Sequence, residues 1–102
     1  MAVPELSLEQ RQAALEKAKA ARIRRAEVRE ELKSGKLSLR DVLDMKDDPV
    51  VGRMKVLTLI ETLPGFGKAR SLKMINELGI AESRRIKGLG DRQRKALLDR
   101  LG

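Results

Sequence analysis

No glycine or proline interrupts the chain from Ser7 to Ser34, and Gly35 follows at once. A stretch so rich in Ala, Glu, Lys and Arg favours one regular conformation, the α-helix. Ser7 and Gln10 have the spacing of a capping box at its start, and Gly35 stands where a left-handed residue ends a helix. One helix of about 27 residues is predicted, some 40 Å long. Its apolar stripe is thin: Ala14, Ala18, Ala21, Val28 and Leu32 recur at helical spacing, with Arg25 interrupting. Small side chains bury little, so the N-terminal half is expected to project from the core. The lack of large residues at heptad positions argues against an isolated coiled coil.

The rest of the chain is punctuated as shorter helices. Ser38 caps a second one, with Asp41 three residues on and Leu39, Val42 and Leu43 facing inward. Asp48-Pro49 reads as a cap followed by proline at the first helical position, and Gly52 as the residue that ends or bends that turn. Val56, Leu57, Leu59, Ile60 and Leu63 form a broad apolar face. Two of their pairs could pass for a buried strand, but the 3-4 spacing and the Pro64-Gly65 that follows favour helix. Residues 68 to 78 place Leu72, Ile75 and Leu78 inward and Lys68, Arg70 and Lys73 outward. Gly79 and Ile80 then supply a Schellman-type stop. A basic loop over residues 81 to 90 leads into a last helix from Asp91 to Leu101. The fold class is all-α: a long N-terminal basic helix (1–34) and a compact helical domain (35–102), with five or six helices in all.

The turn Leu63-Pro64-Gly65-Phe66-Gly67-Lys68 carries the strongest functional signal. Glycines permit a positive φ and remove the Cβ atoms that would hold a phosphate away, while Phe66 turns inward to pin the turn. The N–H groups near Gly67, Lys68 and Ala69 lie at the positive end of the next helix, and Ser71 is small enough for close helix packing. A plain tight turn between helices is the competing reading, and a dinucleotide site is weak without a strand before the glycines.

Charge decides between them. The 102 residues carry a formal net charge of +8. Residues 1 to 33 hold eight Lys/Arg against six Asp/Glu, residues 34 to 62 five of each, and residues 63 to 102 ten against four. The excess travels with the glycine turn, which points to a polyanion such as nucleic acid. Arg84, Arg85 and Lys87 can reach phosphates from the basic loop, and Arg84 or Arg85 could enter a narrow minor groove. Arg92 opens the last helix. The long helix carries a basic run, Lys17, Lys19, Arg22, Arg24, Arg25 and Arg29, of which Arg22, Arg25 and Arg29 share one face; Arg53 and Lys55 precede the helix that leads to the turn. Each of these sets has a blander reading as a solvated charged surface.

Composition removes other classes. The chain has no Cys and no His, which excludes disulfides, thiolate and imidazole metal ligands and the commonest general base. Asp41, Asp44, Asp47 and Asp48 coincide with caps and a turn, so no catalytic, metal or cofactor constellation emerges. No apolar run reaches the ~18 residues of a membrane span, nor does the start resemble a signal peptide. An intracellular soluble protein with no membrane partner is expected. A single aromatic residue, Phe66, argues against modules that stack single-stranded bases and favours a duplex backbone.

Leu63 to Ile80, with Gly-Phe-Gly-Lys-Ala-Arg-Ser ahead of Met-Ile-Asn-Glu-Leu-Gly-Ile, resembles the helix-two-turn-helix element of ribosomal protein S13 and related DNA-binding domains. That element would span about residues 54–102. A wider likeness covers nearly the whole chain. Pro4-Glu5-Leu6, Glu9-Gln10-Arg11, Ala13 to Ala18, Gly52 to Val56, the turn and Arg84 to Gln93 together resemble the actinobacterial integration host factor family. Arg53 departs from the family's usual lysine but keeps its charge.

The resemblance implies a mostly monomeric nucleoid-associated protein, cytoplasmic, that binds double-stranded DNA with little sequence preference. It also implies bending or compaction of DNA and assistance to phage integrase complexes. By position it would place Gly65, Gly67, Lys68, Arg84, Arg85 and Lys87 against the duplex. An RNA-binding ribosome-associated protein using the same element is the alternative, and a protein-interaction adaptor docking through the long helix is a third.

Overall fold

A computed structural model of the chain describes residues 7–101. Pro4-Glu5-Leu6, which opens the family resemblance, lies outside the described residues, as do the first six residues and the last one of the two expected domains.

Five α-helices follow one another: α1 (Leu8–Ser34), α2 (Leu39–Leu43), α3 (Val56–Thr62), α4 (Lys68–Glu77) and α5 (Asp91–Leu101). Two 3-10 turns, Val51–Arg53 and Ile86–Gly88, interrupt the connections, and no strand occurs among the described residues.

The ends of the helices obey local chemistry. Ser7 Oγ accepts from Gln10 N at 3.1 Å while Gln10 Oε1 accepts from Ser7 N at 2.9 Å, so two of α1's orphan donors are satisfied reciprocally. Gly35 closes α1 at φ +84°. Ser38 and Asp41 repeat the same box at α2. Gly79 at φ +70° ends α4, with Ile80 N donating to Ile75 O at 2.8 Å and the Ile80 side chain buried. That pairing is the 6→1 bond of a Schellman stop.

The core collects Val28 and Leu32 from α1, Leu39, Val42 and Leu43 from α2, Leu59 and Ile60 from α3, Ile75 from α4 and Leu97 from α5. Only the last two turns of α1 reach it. Residues 7 to 20 are all exposed, so α1 projects beyond a body whose shorter dimensions are 31 and 25 Å. Ala14 and Ala18 therefore do not belong to the buried stripe: they lie on the overshooting part, and Ala21 is only half-buried. Leu72 and Leu78 are likewise half-buried; Met74 and Ser71 take the inner positions of α4 instead.

Gly52 has a different role from the bend expected of it. A Cβ there would meet Lys46 O at 2.2 Å, so the glycine is required by close backbone packing inside a 3-10 turn. The cap before it is as expected: Asp48 Oδ1 accepts from Val50 N at 2.8 Å and Val51 N at 2.9 Å. Those two donors hold the Asp48 carboxyl below the ordinary carboxylate range, with help from the Arg24 guanidinium and against some desolvation.

Candidate nucleic-acid interface

The loop before α5 is pinned to the segment before α3. Val56 N donates to Arg84 O and Ile86 N to Met54 O, each at 3.0 Å. The result is an isolated antiparallel bridge between Lys55 and Arg85. Met54, Val56 and Ile86 anchor it from the buried side, while Lys55 and Arg85 are exposed. In this register the two bonds flank the bridged pair, which is the arrangement that brings opposed side chains closest.

Two cations thus face each other across a bridge, and α1 supplies more. Lys17, Arg22, Arg24, Arg25 and Arg29 of α1, with Arg53, Lys55 and Arg85, line one open cleft of about 1030 Å³. Asp48 is its only acid among the described residues, and it lies 3.8 Å from Arg24. Arg22, Arg25, Arg29, Arg53, Lys55 and Arg85 make no ion pair among the described residues. Away from the cleft the cations are matched: Arg94 pairs with Asp44, Lys95 with Asp99 at 3.1 Å and Arg100 with Glu77 at 3.2 Å. Neutralised charge lies along α5, and uncompensated charge lies in the cleft.

The glycine turn lies at the other end of α3. Phe66 N donates to Leu63 O at 3.1 Å, with Pro64 second and Gly65 third at φ +84°, the pattern of a type II turn. Gly67 does not adopt a positive φ; at φ −90° and ψ 174° it is the extended N-cap of α4. A Cβ on Gly67 would meet nothing within 4 Å, so the fold itself does not demand glycine there. The buried Ser71 hydroxyl donates to Gly67 O at 2.8 Å and fixes the cap from behind.

Every residue expected to contact nucleic acid is exposed: Arg22, Arg25, Arg53, Lys55, Gly65, Gly67, Lys68, Arg70, Arg84, Arg85, Lys87 and Arg92. They do not form one patch. Arg22, Arg25, Arg53, Lys55 and Arg85 share the cleft; Gly65, Gly67, Lys68 and Arg70 surround the turn; Arg92 sits on the first turn of α5, outside both. Two of the arginines are folded back. Arg70 Nη1 donates to Gly65 O at 3.4 Å with its guanidinium 4.8 Å above the Phe66 ring, and Arg84 Nη1 donates to Gly88 O at 3.1 Å. The turn and the loop are thereby braced by their own cations. Phe66, half-buried and covered by Arg70, is no platform for a base.

Of the basic run expected on the long helix, the cleft takes Lys17, Arg22, Arg24, Arg25 and Arg29 and leaves out Lys19. The signal that finds them is helical phase: Lys17 and Arg24 are seven apart and Arg25 and Arg29 four apart, so they flank the groove beside Ala21.

Residues 32–101 match the S13-like H2TH domain family. The chain is 54% identical over 103 residues to an integration host factor of Mycobacterium tuberculosis, covering all of this chain and 98% of that protein. This chain belongs to the integration host factor family. Another member, from Streptomyces coelicolor, is 52% identical over 94 residues, covering 91% and 88% of the two chains. A solved structure of sIHF bound to an 8-bp palindromic DNA superposes with a TM-score of 0.81 at 46% identity, covering 85% of this chain and 99% of that one. Within the family's S13-like domain, Gln93 ties the two halves together: its Nε2 donates to Gly79 O and its Oε1 accepts from Gly90 N, both at 3.1 Å. This member of the family is a non-enzymatic protein.

Proposed function

We propose that this chain is an architectural protein of the nucleoid that binds double-stranded DNA through its phosphates. The opposed Lys55–Arg85 pair carries the reading. Like charges placed directly across a bridge repel, and the fold holds them there with buried anchors on the other side. A phosphate between them turns that repulsion into attraction, and the flanking Arg22, Arg25 and Arg53 extend the contact along a strand.

The turn is a second grip. Gly67, Lys68 and the amides that open α4 face solvent at the positive end of a ten-residue helix, with Gly65 shaping the approach. Seven residues of α3 separate the two grips, about 10 Å of helix. That is close to the ~12 Å width of a B-DNA major groove, so one protein can hold phosphates on both sides of a groove. Lys87 and Arg92 border the loop and supply weaker, longer-range attraction. Contacts of this kind read shape and charge, so sequence preference is low. Engaging both grips favours bent DNA, offsetting a deformation cost of about 1–6 kcal/mol. Bending and compaction, with help to phage integrase complexes, follow as the roles of a protein that is a monomer in free solution. Residues 35–102 supply the turn, the loop and the Lys55–Arg85 pair, and the long helix of residues 1–34 completes the cleft as an auxiliary electrostatic contact.

The test is competition between duplex DNA and structured RNA at two salt concentrations. Preference for duplex across unrelated sequences, with a steep salt dependence, is expected. Preference for RNA would replace this reading with a ribosome-associated one.

A further inference from the structure

Helix α1 carries its large apolar residues on the side turned away from the body. Leu8, Leu15 and Ile23 are 83%, 70% and 49% exposed, whereas Ala14 and Ala21 stand on the core side of the same stretch. Leu8, Gln12 and Leu15 share one face with Lys19, Ile23 and Ala26, which stand eleven residues further on. An eleven-residue interval corresponds to about 3.67 residues per turn, so the stripe runs nearly straight along the helix. Gln12 and Lys19 are its polar interruptions. Charge borders it asymmetrically. Glu16 and Glu27 follow one edge, and Arg11 and Arg22 follow the other with the same eleven-residue interval.

We infer that this stripe is a seam for a second copy of the chain, formed by parallel pairing of two α1 helices. The edge charges select the partner and its direction. In a parallel pair the left edge of one helix meets the right edge of the other, five residues displaced. Arg11 then lies opposite Glu16 of the second copy, and Arg22 opposite Glu27. Antiparallel pairing would set arginine against arginine and glutamate against glutamate. A stripe with one acidic and one basic edge is self-complementary in the parallel sense alone. The interruptions fit the same register. Gln12 meets its own counterpart, whose amide can both donate and accept, a device that fixes register at some cost in stability. Lys19 also meets its counterpart, and its methylene stem lies along the seam while the ammonium reaches out to water.

The seam is small. Three large apolar side chains, Ala26 and two polar residues fall well short of the ~1,200 Å² of a stable interface, and the net charge of +8 opposes association in free solution. Bound DNA removes both obstacles, because phosphates neutralise the copies and hold them at high local concentration. The cleft lies on the far side of α1 from the stripe, with Arg22 at the rim between them. Two paired copies therefore present two DNA-binding faces pointing apart, as a bridge between duplex segments requires. Pairing at low protein concentration and the bridge rest on the DNA-binding reading above; the complementarity of the seam does not.

The chain lacks cysteine, so single substitutions report pairing directly. Full-length Leu8→Cys, Leu15→Cys and Ile23→Cys variants are oxidised on a duplex long enough for several copies, with Asp99→Cys on α5 as control. Each of the three is expected to cross-link to itself several-fold more than the control, with helicity and short-duplex affinity unchanged. Glu16→Arg in the Leu15→Cys background should abolish the cross-link, and adding Arg11→Glu should restore it. Cross-linking of one position only would replace parallel with antiparallel pairing. Yields equal to the control at all three would overturn the seam. If binding to a short duplex fails, the DNA reading falls, and the seam is judged by the same cross-links at high protein concentration without DNA.

Discussion

Lys55 and Arg85 stand directly opposite each other on a two-residue antiparallel bridge, held by hydrogen bonds of 3.0 Å on either side. Neither has a carboxylate partner among the described residues. A fold that sets two cations face to face, when nearby acids are spent on caps and on α5, places the cost of repulsion where an anion relieves it.

Replacing both, Lys55→Ala with Arg85→Ala, should lower duplex affinity across unrelated sequences and flatten the slope of log K against log salt by about 2. Thermal stability should stay level or rise by a few tenths of a kcal/mol, since opposed like charges are destabilising. Titrations at several salt concentrations beside a melting curve read both effects. A parallel loss of stability and affinity would mean that the pair is structural.

The two arginines of the loop should separate. Arg85→Ala removes a contact and leaves the loop intact. Arg84→Ala removes the guanidinium that holds Gly88 O, so the loop loosens and the damage reaches Arg85 and Lys87 indirectly. Amide hydrogen exchange around residues 86–89 should quicken in Arg84→Ala and not in Arg85→Ala. Equal protection in both variants would remove the brace from the account.

Much of this architecture was legible because it is local. Ser7, Ser38, Asp48, Gly35 and Gly79 each act within a few residues, and each cap falls where its spacing in the sequence puts it. The interface was legible residue by residue and illegible as a surface. Nothing near Lys55 in sequence announces Arg85; the bridge depends on Met54, Val56 and Ile86 being buried from two distant segments. The cleft also needs α1 to leave the core at a certain height, set by Val28 and Leu32, which fixes whether Arg25 and Arg29 overlook Arg53. Helical spacing found the inward-facing alanines. The small size of Ala14 and Ala18 also announced that the helix projects there, but not that the body's edge falls at Ala21.

Acid should weaken the fold through its caps. The Asp48 carboxyl is held down first by the Val51 and Val50 amides, and Asp41 by the Ser38 amide and hydroxyl. A lowered folded-state pKa means stability that is complete above the ordinary value near 4 and is lost as pH falls through the lowered one. Chemical denaturation from about pH 5 downward should show a steeper decline in the parent than in Asp48→Asn, whose amide oxygen still accepts but does not titrate. At neutral pH, Asp48→Ala should cost about 1 kcal/mol. Identical pH profiles for parent and Asp48→Asn would show that the carboxylate contributes nothing.

The two glycines of the turn offer the sharpest separation of folding from binding. Gly65 sits at φ +84°, so Gly65→Ala forces an alanine into left-handed backbone and should destabilise the domain by roughly 1–2 kcal/mol. Gly67 sits at φ −90° with open space around its missing side chain, so Gly67→Ala should leave the melting temperature unchanged. The methyl would instead project into the space from which a phosphate approaches the α4 amides. A several-fold loss of duplex affinity at constant stability is therefore expected of Gly67→Ala. Full affinity in that variant would mean that the DNA backbone does not come close at the α4 cap, leaving the Lys55–Arg85 cleft as the sole grip.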